Sequence, residues 1–197
     1  WTWTFQGIGD FFKGEKLPFY PGDWYWIPSR ALPEEPITEF PFFTFLYADM
    51  HAHMIALPVT LLAIAWSLSL LGNRWQRLCG WKGWLEKAWI LIFGAIVVGA
   101  LKPTNTWDLP TYLLLGVCIL AYVILRYSAG IQVNEHSPAW LNRLIEAGMA
   151  VGFFVVLSFV LYKPFSDWYG QAYSSIDIWK GSHTPFWSYF THWGLFI

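Results

Sequence analysis

Residues 52–71 read AHMIALPVTLLAIAWSLSLL, twenty residues without one charged side chain. As a helix rising about 1.5 Å per residue, the run is about 30 Å long, which matches the hydrocarbon layer of a bilayer. Pro58 falls about two turns into it, where it removes one backbone donor and predicts a kink. A kink of that kind is tolerated in a membrane helix when neighbours or water satisfy the freed carbonyl. The same pattern recurs along the chain. Apolar spans are expected near 52–71, 85–101, 110–127 and 145–162, and a fifth begins near 186 and runs to 197.

The composition agrees with that reading. Hydrophobic residues make up 56 % and charged residues 13 % of the 197 residues, against about 45–50 % and about 25 % in soluble domains. So few charges cannot cover the exterior of a water-soluble fold carrying that much apolar surface. The expected fold class is all-α: a polytopic helical membrane protein with four to five spans in residues 51–197, preceded by a long extracytoplasmic segment, residues 1–50, rich in aromatics and acids. The chain opens on Trp1 and stops at Ile197 within an apolar run, so it is expected to be an internal piece of a longer polypeptide, with no signal peptide in view.

The charges assign the two sides. The turn after the first span carries Arg74, Arg77, Lys82 and Lys87, and the turn after the third carries Arg126 and Arg143, which places both turns in the cytoplasm by the positive-inside rule. Asp10, Glu15, Asp23, Glu34, Glu35, Glu39, Asp49, Asp108, Asp167 and Asp177 then fall on the outer side, with Glu86, Glu135 and Glu146 inside. Trp66, Trp75, Trp84, Trp89, Trp107, Tyr112 and Tyr162 sit next to span ends, where an interfacial aromatic belt is expected. The net charge of −1 argues against nucleic acid as a partner, since phosphates demand a basic stripe. Cys79 and Cys118 have no metal-ligand spacing and suggest no disulfide framework.

Chemistry is therefore sought on the outer side. Asp49, His51 and His53 stand at i, i+2 and i+4 at the mouth of the first span. In an extended backbone all three point one way and could hold a metal; in a helix, Asp49 and His53 share a face and His51 leaves it. The plainer reading makes Asp49 the N-cap of the span and the two histidines interfacial polar residues. Asp-x-His-x-His also occurs at strand ends of metal-dependent amidohydrolases, but the uncharged helical run that follows at once rules that barrel out. No histidine lies deep within a span, which argues against an axial ligand for haem or chlorophyll.

Two other clusters share that side. Residues 102–112 read KPTNTWDLPTY: Asp108 before Pro110 marks a helix start, and Asn105, Trp107 and Asp108 offer an amide, a stacking face and a carboxylate to a sugar. Arg30 could grip a phosphate bidentately or pair with Glu34 or Glu35. Lys102 and Lys163 sit where lipid phosphates lie, and snorkelling explains them as well.

The stretches EFPFFTFLYADMHAHMIALP (39–58) and NTWDLPTY (105–112) carry a resemblance, joined by residues 162–196. They resemble the Chlor_Arch_YYY family of archaeal and Chloroflexi membrane proteins, whose function is unknown, with Ala52 where the family pattern has proline. The architecture is also similar to the GT-C class of polytopic glycosyltransferases, which take sugar from a lipid-linked donor at the outer face. That resemblance implies Asp49 as the general base on the acceptor hydroxyl, with Asp23 or Glu39 as substitutes. It further implies His51, His53 and Asp108 as metal or phosphate-side groups and Arg30 as a phosphate partner. Asn105, Trp107 and Lys102 complete the expected substrate site. A divalent metal ion is the cofactor, and a polyprenyl-phosphate sugar in the membrane lipid the partner, that such a site would take.

Three functions compete on these grounds. The first is glycosyl transfer from a lipid-phosphate donor. The second is a non-catalytic integral membrane subunit that packs in a larger complex with other membrane subunits. A transporter or channel ranks third, because the apolar runs hold almost no charge to line a path.

Overall fold

A computed structural model describes residues 2–15, 32, 44–45, 47–48, 50–72, 75, 78, 80–132, 134–170, 178 and 180–195. All its regular elements are helices: α1 (Thr2–Phe12), α2 (Ala52–Gly72), α3 (Gly80–Gly99), α4 (Leu101–Thr104), α5 (Leu109–Tyr127), α6 (Ala139–Val160), α7 (Lys163–Trp168) and α8 (Phe186–Trp193). The chain divides into two compact units, Trp1–Met50 with Ile176–Ile197, and His51–Ser175. The first unit contains α1 and the eight-residue α8, which is too short to cross a bilayer. The second is a four-helix bundle.

Four stretches are long and apolar enough to span a membrane: Ala52–Gly72, Gly80–Thr104, Leu109–Tyr127 and Ala139–Val160. The protein is a polytopic all-α membrane protein. α2 packs on α3 and α5, and α6 packs on the same two helices, so each spanning helix has two flanking neighbours. The buried face of α2 runs through Ala56, Thr60, Ala63, Ser67 and Leu70 at helical spacing. Most of these side chains are small, which lets backbones approach where lipid supplies no hydrophobic drive between helices. Helix α2 runs unbroken through Pro58.

Trp66 fills the middle of the bundle. Its ring stacks on Phe154 of α6 with centroids 5.0 Å apart, and its indole Nε1 donates to the Ile90 carbonyl of α3 at 3.0 Å. Two glycines make room: a Cβ on Gly94 of α3 would lie 2.1 Å from the Trp66 ring, and one on Gly116 of α5 would lie 3.0 Å from it. Trp66 and Trp75 are only 4 % and 1 % exposed. These two are core residues, not members of the expected interfacial belt; each indole has an internal hydrogen-bond acceptor that replaces water. Trp84, Trp89 and Trp107 are exposed.

Hairpin connections fix the ends. Residues 73–79 join α2 to α3 and residues 128–138 join α5 to α6, both at one end of the bundle. The start of α2, the 100–108 connection and the chain after Val160 lie at the other end. There Tyr162 lies against Gly99, where an added Cβ would meet its ring at 2.6 Å, and its hydroxyl donates to the Ile96 carbonyl at 2.7 Å. Burial pushes the Tyr162 hydroxyl above its ordinary pKa, so it stays a donor throughout the physiological range.

Candidate functional site

The end that carries the start of α2 and the 100–108 connection brings together several of the side chains expected to act. His51 precedes α2 and His53 lies in its first turn. Their rings are 5.3 Å apart and tilted by 59°, and both residues are exposed. The backbone turns into helix at once, with Met54 and Ile55 amides donating to the His51 carbonyl at 3.0 and 3.1 Å. Among the described residues no three His, Cys, Asp or Glu side chains are grouped as metal ligands would be. The described pair alone supplies two of the three or four ligands that a zinc-like ion requires.

The connection into α5 is knit from within. The Asn105 side chain donates to the Asp108 carboxylate at 3.0 Å, and the Asp108 amide donates to the Asn105 carbonyl at 3.0 Å. Thr106 Oγ1 closes the turn by donating to the Lys102 carbonyl at 2.9 Å. Asp108 is the residue before α5, and Pro110 occupies the first turn, where a missing N–H costs nothing. The Asp108 carboxylate makes no capping bond to that helix, and among the described residues its side-chain donor is Asn105. Trp107 is 78 % exposed and presents an open ring face. Lys102 is half-buried with its ammonium 5.7 Å from the centroid of the Phe159 ring, which holds the charge against the end of α6. Lys163 is spoken for by Asp167, 2.5 Å away on the next turn of α7.

Asn105, Asp108 and Lys102 thus share one short connection, with His51 and His53 at the same end of the bundle. Asp49, Glu39, Asp23 and Arg30 lie outside the described residues. What the described part offers chemically is a carboxylate oriented by an amide, an aromatic platform, an ammonium and two imidazoles. That set suits polyhydroxylated or phosphorylated ligands.

A second polar cluster, at the opposite end, was not singled out by the sequence reading. Glu146 of α6 is 4 % exposed. Its Oε1 accepts from Lys87 Nζ of α3 at 2.8 Å and from Trp75 Nε1 at 3.0 Å, and its Oε2 accepts from Ser128 Oγ. Lys87 also lies 5.0 Å from the Trp75 ring and 5.5 Å from the Trp84 ring. One carboxylate therefore ties two spans and both hairpin connections at that end. The available signal was the position of the two charges. Each stands immediately ahead of its apolar run, 88–101 and 147–162, where a headgroup boundary falls.

No curated protein and no solved structure matches this chain. A family model does, over residues 3–197, and neither the Chlor_Arch_YYY name nor the GT-C class figures in that match. A membrane family of unknown function is what the residues led us to expect, and the chain belongs to the family described as Uncharacterized membrane protein (DUF2298).

Proposed function

We propose that the end of the bundle bearing His51, His53 and the 102–108 connection works as a glycosyltransferase site, taking sugar from a lipid-phosphate donor. The observation that carries the reading is the Asn105–Asp108 pair set beside Lys102 at the end of four lipid-facing helices. A donor of this class keeps its polyprenyl tail among such helices and its phosphate at their ends, where Lys102 stands. Trp107 gives the sugar ring a face to stack on, and Asp108 accepts hydrogen bonds from its hydroxyls. Asp49 acts as general base. It takes the proton of the acceptor hydroxyl as that oxygen bonds to the anomeric carbon, and the bond to the lipid phosphate breaks with its electron pair leaving on phosphate. A carboxylate at an apolar boundary is suited to this, because partial desolvation raises its proton affinity toward the working pH.

The test is transfer from a radiolabelled polyprenyl-phosphate sugar by the full chain in proteoliposomes. Asp49→Asn is expected to abolish transfer while the protein remains folded and inserted, and Asp108→Asn to lower it about 10²-fold, the scale of one lost orienting or proton-handling group. Undiminished transfer by Asp49→Asn removes Asp49 as the base. If wild type transfers none of a panel of such donors, the reading fails.

A further inference from the structure

The buried cluster at the opposite end of the bundle adjoins a cavity of about 230 Å³ between α3 and α6. Its polar end is Lys87 and Glu146; its walls are apolar, among them Leu91, Met149 and Phe153. A count of donors and acceptors shows what is missing. Glu146 accepts from three donors, one of them the Lys87 ammonium. An ammonium has three N–H donors, and among the described residues Lys87 has no acceptor besides Glu146. The cavity therefore presents spare donors, and a fitting ligand brings acceptor oxygens.

The apolar part has a direction. A second hollow, of about 280 Å³, continues along α6 past Gly152, Val156 and Val160, and the two share Phe153 as a wall. Gly152 opens this furrow, since a Cβ there would meet nothing within 4 Å. From Met149 to Val160, the last residue of α6, the furrow runs about 16 Å at the helical rise. A headgroup at Lys87 would thus have an apolar channel beneath it long enough to hold an acyl chain. Among the described residues this end also carries Lys82, Arg126 and Arg143, basic side chains suited to an anion.

We infer that this cavity binds a glycerophospholipid of the surrounding leaflet, with the phosphodiester oxygens on the Lys87 ammonium and one acyl chain in the α6 furrow. The site is independent of the one proposed for sugar transfer, at the other end of the spans.

Native mass spectrometry of the purified full chain, titrated in detergent with dioleoyl-phosphatidylglycerol, tests it. Wild type is expected to take up one saturable copy. Gly152→Leu, which fills the furrow and leaves the ion pair alone, is expected to bind about tenfold more weakly. Lys87→Gln combined with Glu146→Gln, which removes the ammonium without stranding a carboxylate, should weaken binding to a similar extent, and thermal melts report that both variants are folded. Unchanged affinity in either folded variant overturns the assignment. Oleate binding as tightly as the phospholipid overturns the phosphate contact, and a preference for a polyprenyl phosphate overturns the diacyl ligand.

Discussion

Trp66 of α2 reaches each of the other three spanning helices, through the Ile90 carbonyl and Gly94, through Gly116, and through the Phe154 ring. The glycines opposite it are therefore set by the volume of one indole. Gly94→Ala would place a methyl 2.1 Å from a ring held by the Phe154 stack and the Ile90 carbonyl. Overpacking of this kind costs about 1–3 kcal/mol. Gly152→Ala, at an open position, should be neutral or gain up to about 1 kcal/mol from helix propensity. Thermal unfolding of the two variants in one detergent separates them: Gly94→Ala is expected to melt lower than wild type and Gly152→Ala to melt at or above it. Equal melting of all three would contradict the close packing around Trp66.

Between elements, the tie from α3 to α6 is an ion pair whose side chains are 12 % and 5 % exposed. Removing one partner strands the other charge, at about 3–5 kcal/mol, whereas replacing both by apolar residues of similar size is often close to neutral. Lys87→Met and Glu146→Leu alone are each expected to lower the melting temperature sharply, and the double variant to recover most of the loss. A double variant as unstable as the sum of the singles would mean that Glu146 acts through Trp75 and Ser128 instead. The four spanning helices were legible because apolar length alone decides them; twenty uncharged residues at 52–71 leave no other stable arrangement in lipid. The start of α5 was legible too, from Asp108 and Pro110. Apolar runs mark off lipid, however, and not helices. α3 begins at Gly80 and α6 at Ala139, ahead of the runs, because Lys87 and Glu146 find each other across the bundle and Asn142 accepts from Ser137 just before α6. Lys87 and Glu146 are distant in sequence, 59 residues apart, so no local pattern announces their pairing. For the same reason Trp66 and Trp75 read as interfacial anchors until their acceptors are seen. At the proposed transferase site the Asn105–Asp108 contact spans three residues and could be anticipated, whereas the role of Asp49 rests on resemblance.

For the whole molecule, the four crossings put 73–79 and 128–138 at one end and 100–108 at the other. Arg74 and Arg77 in the first connection, with Arg126 and Arg143 flanking the second, lead us to expect that end in the cytoplasm by the positive-inside rule. In a background with Cys79 and Cys118 replaced by serine, a membrane-impermeant maleimide added outside intact cells is expected to label Thr106→Cys and to label His136→Cys only after permeabilisation; both positions are exposed. The reverse pattern would invert the protein and move the proposed transferase site to the cytoplasm. The stacked indole and phenyl rings at the centre have a further consequence. With Gly94 and Gly116 closed down on Trp66, the axis of the four helices is plugged by carbon, and its one indole proton is already taken by a carbonyl. An ion moving along that axis would have to shed its hydration against aromatic faces. Among the described helices the waist of the bundle is thus closed by packed rings rather than by a polar seam.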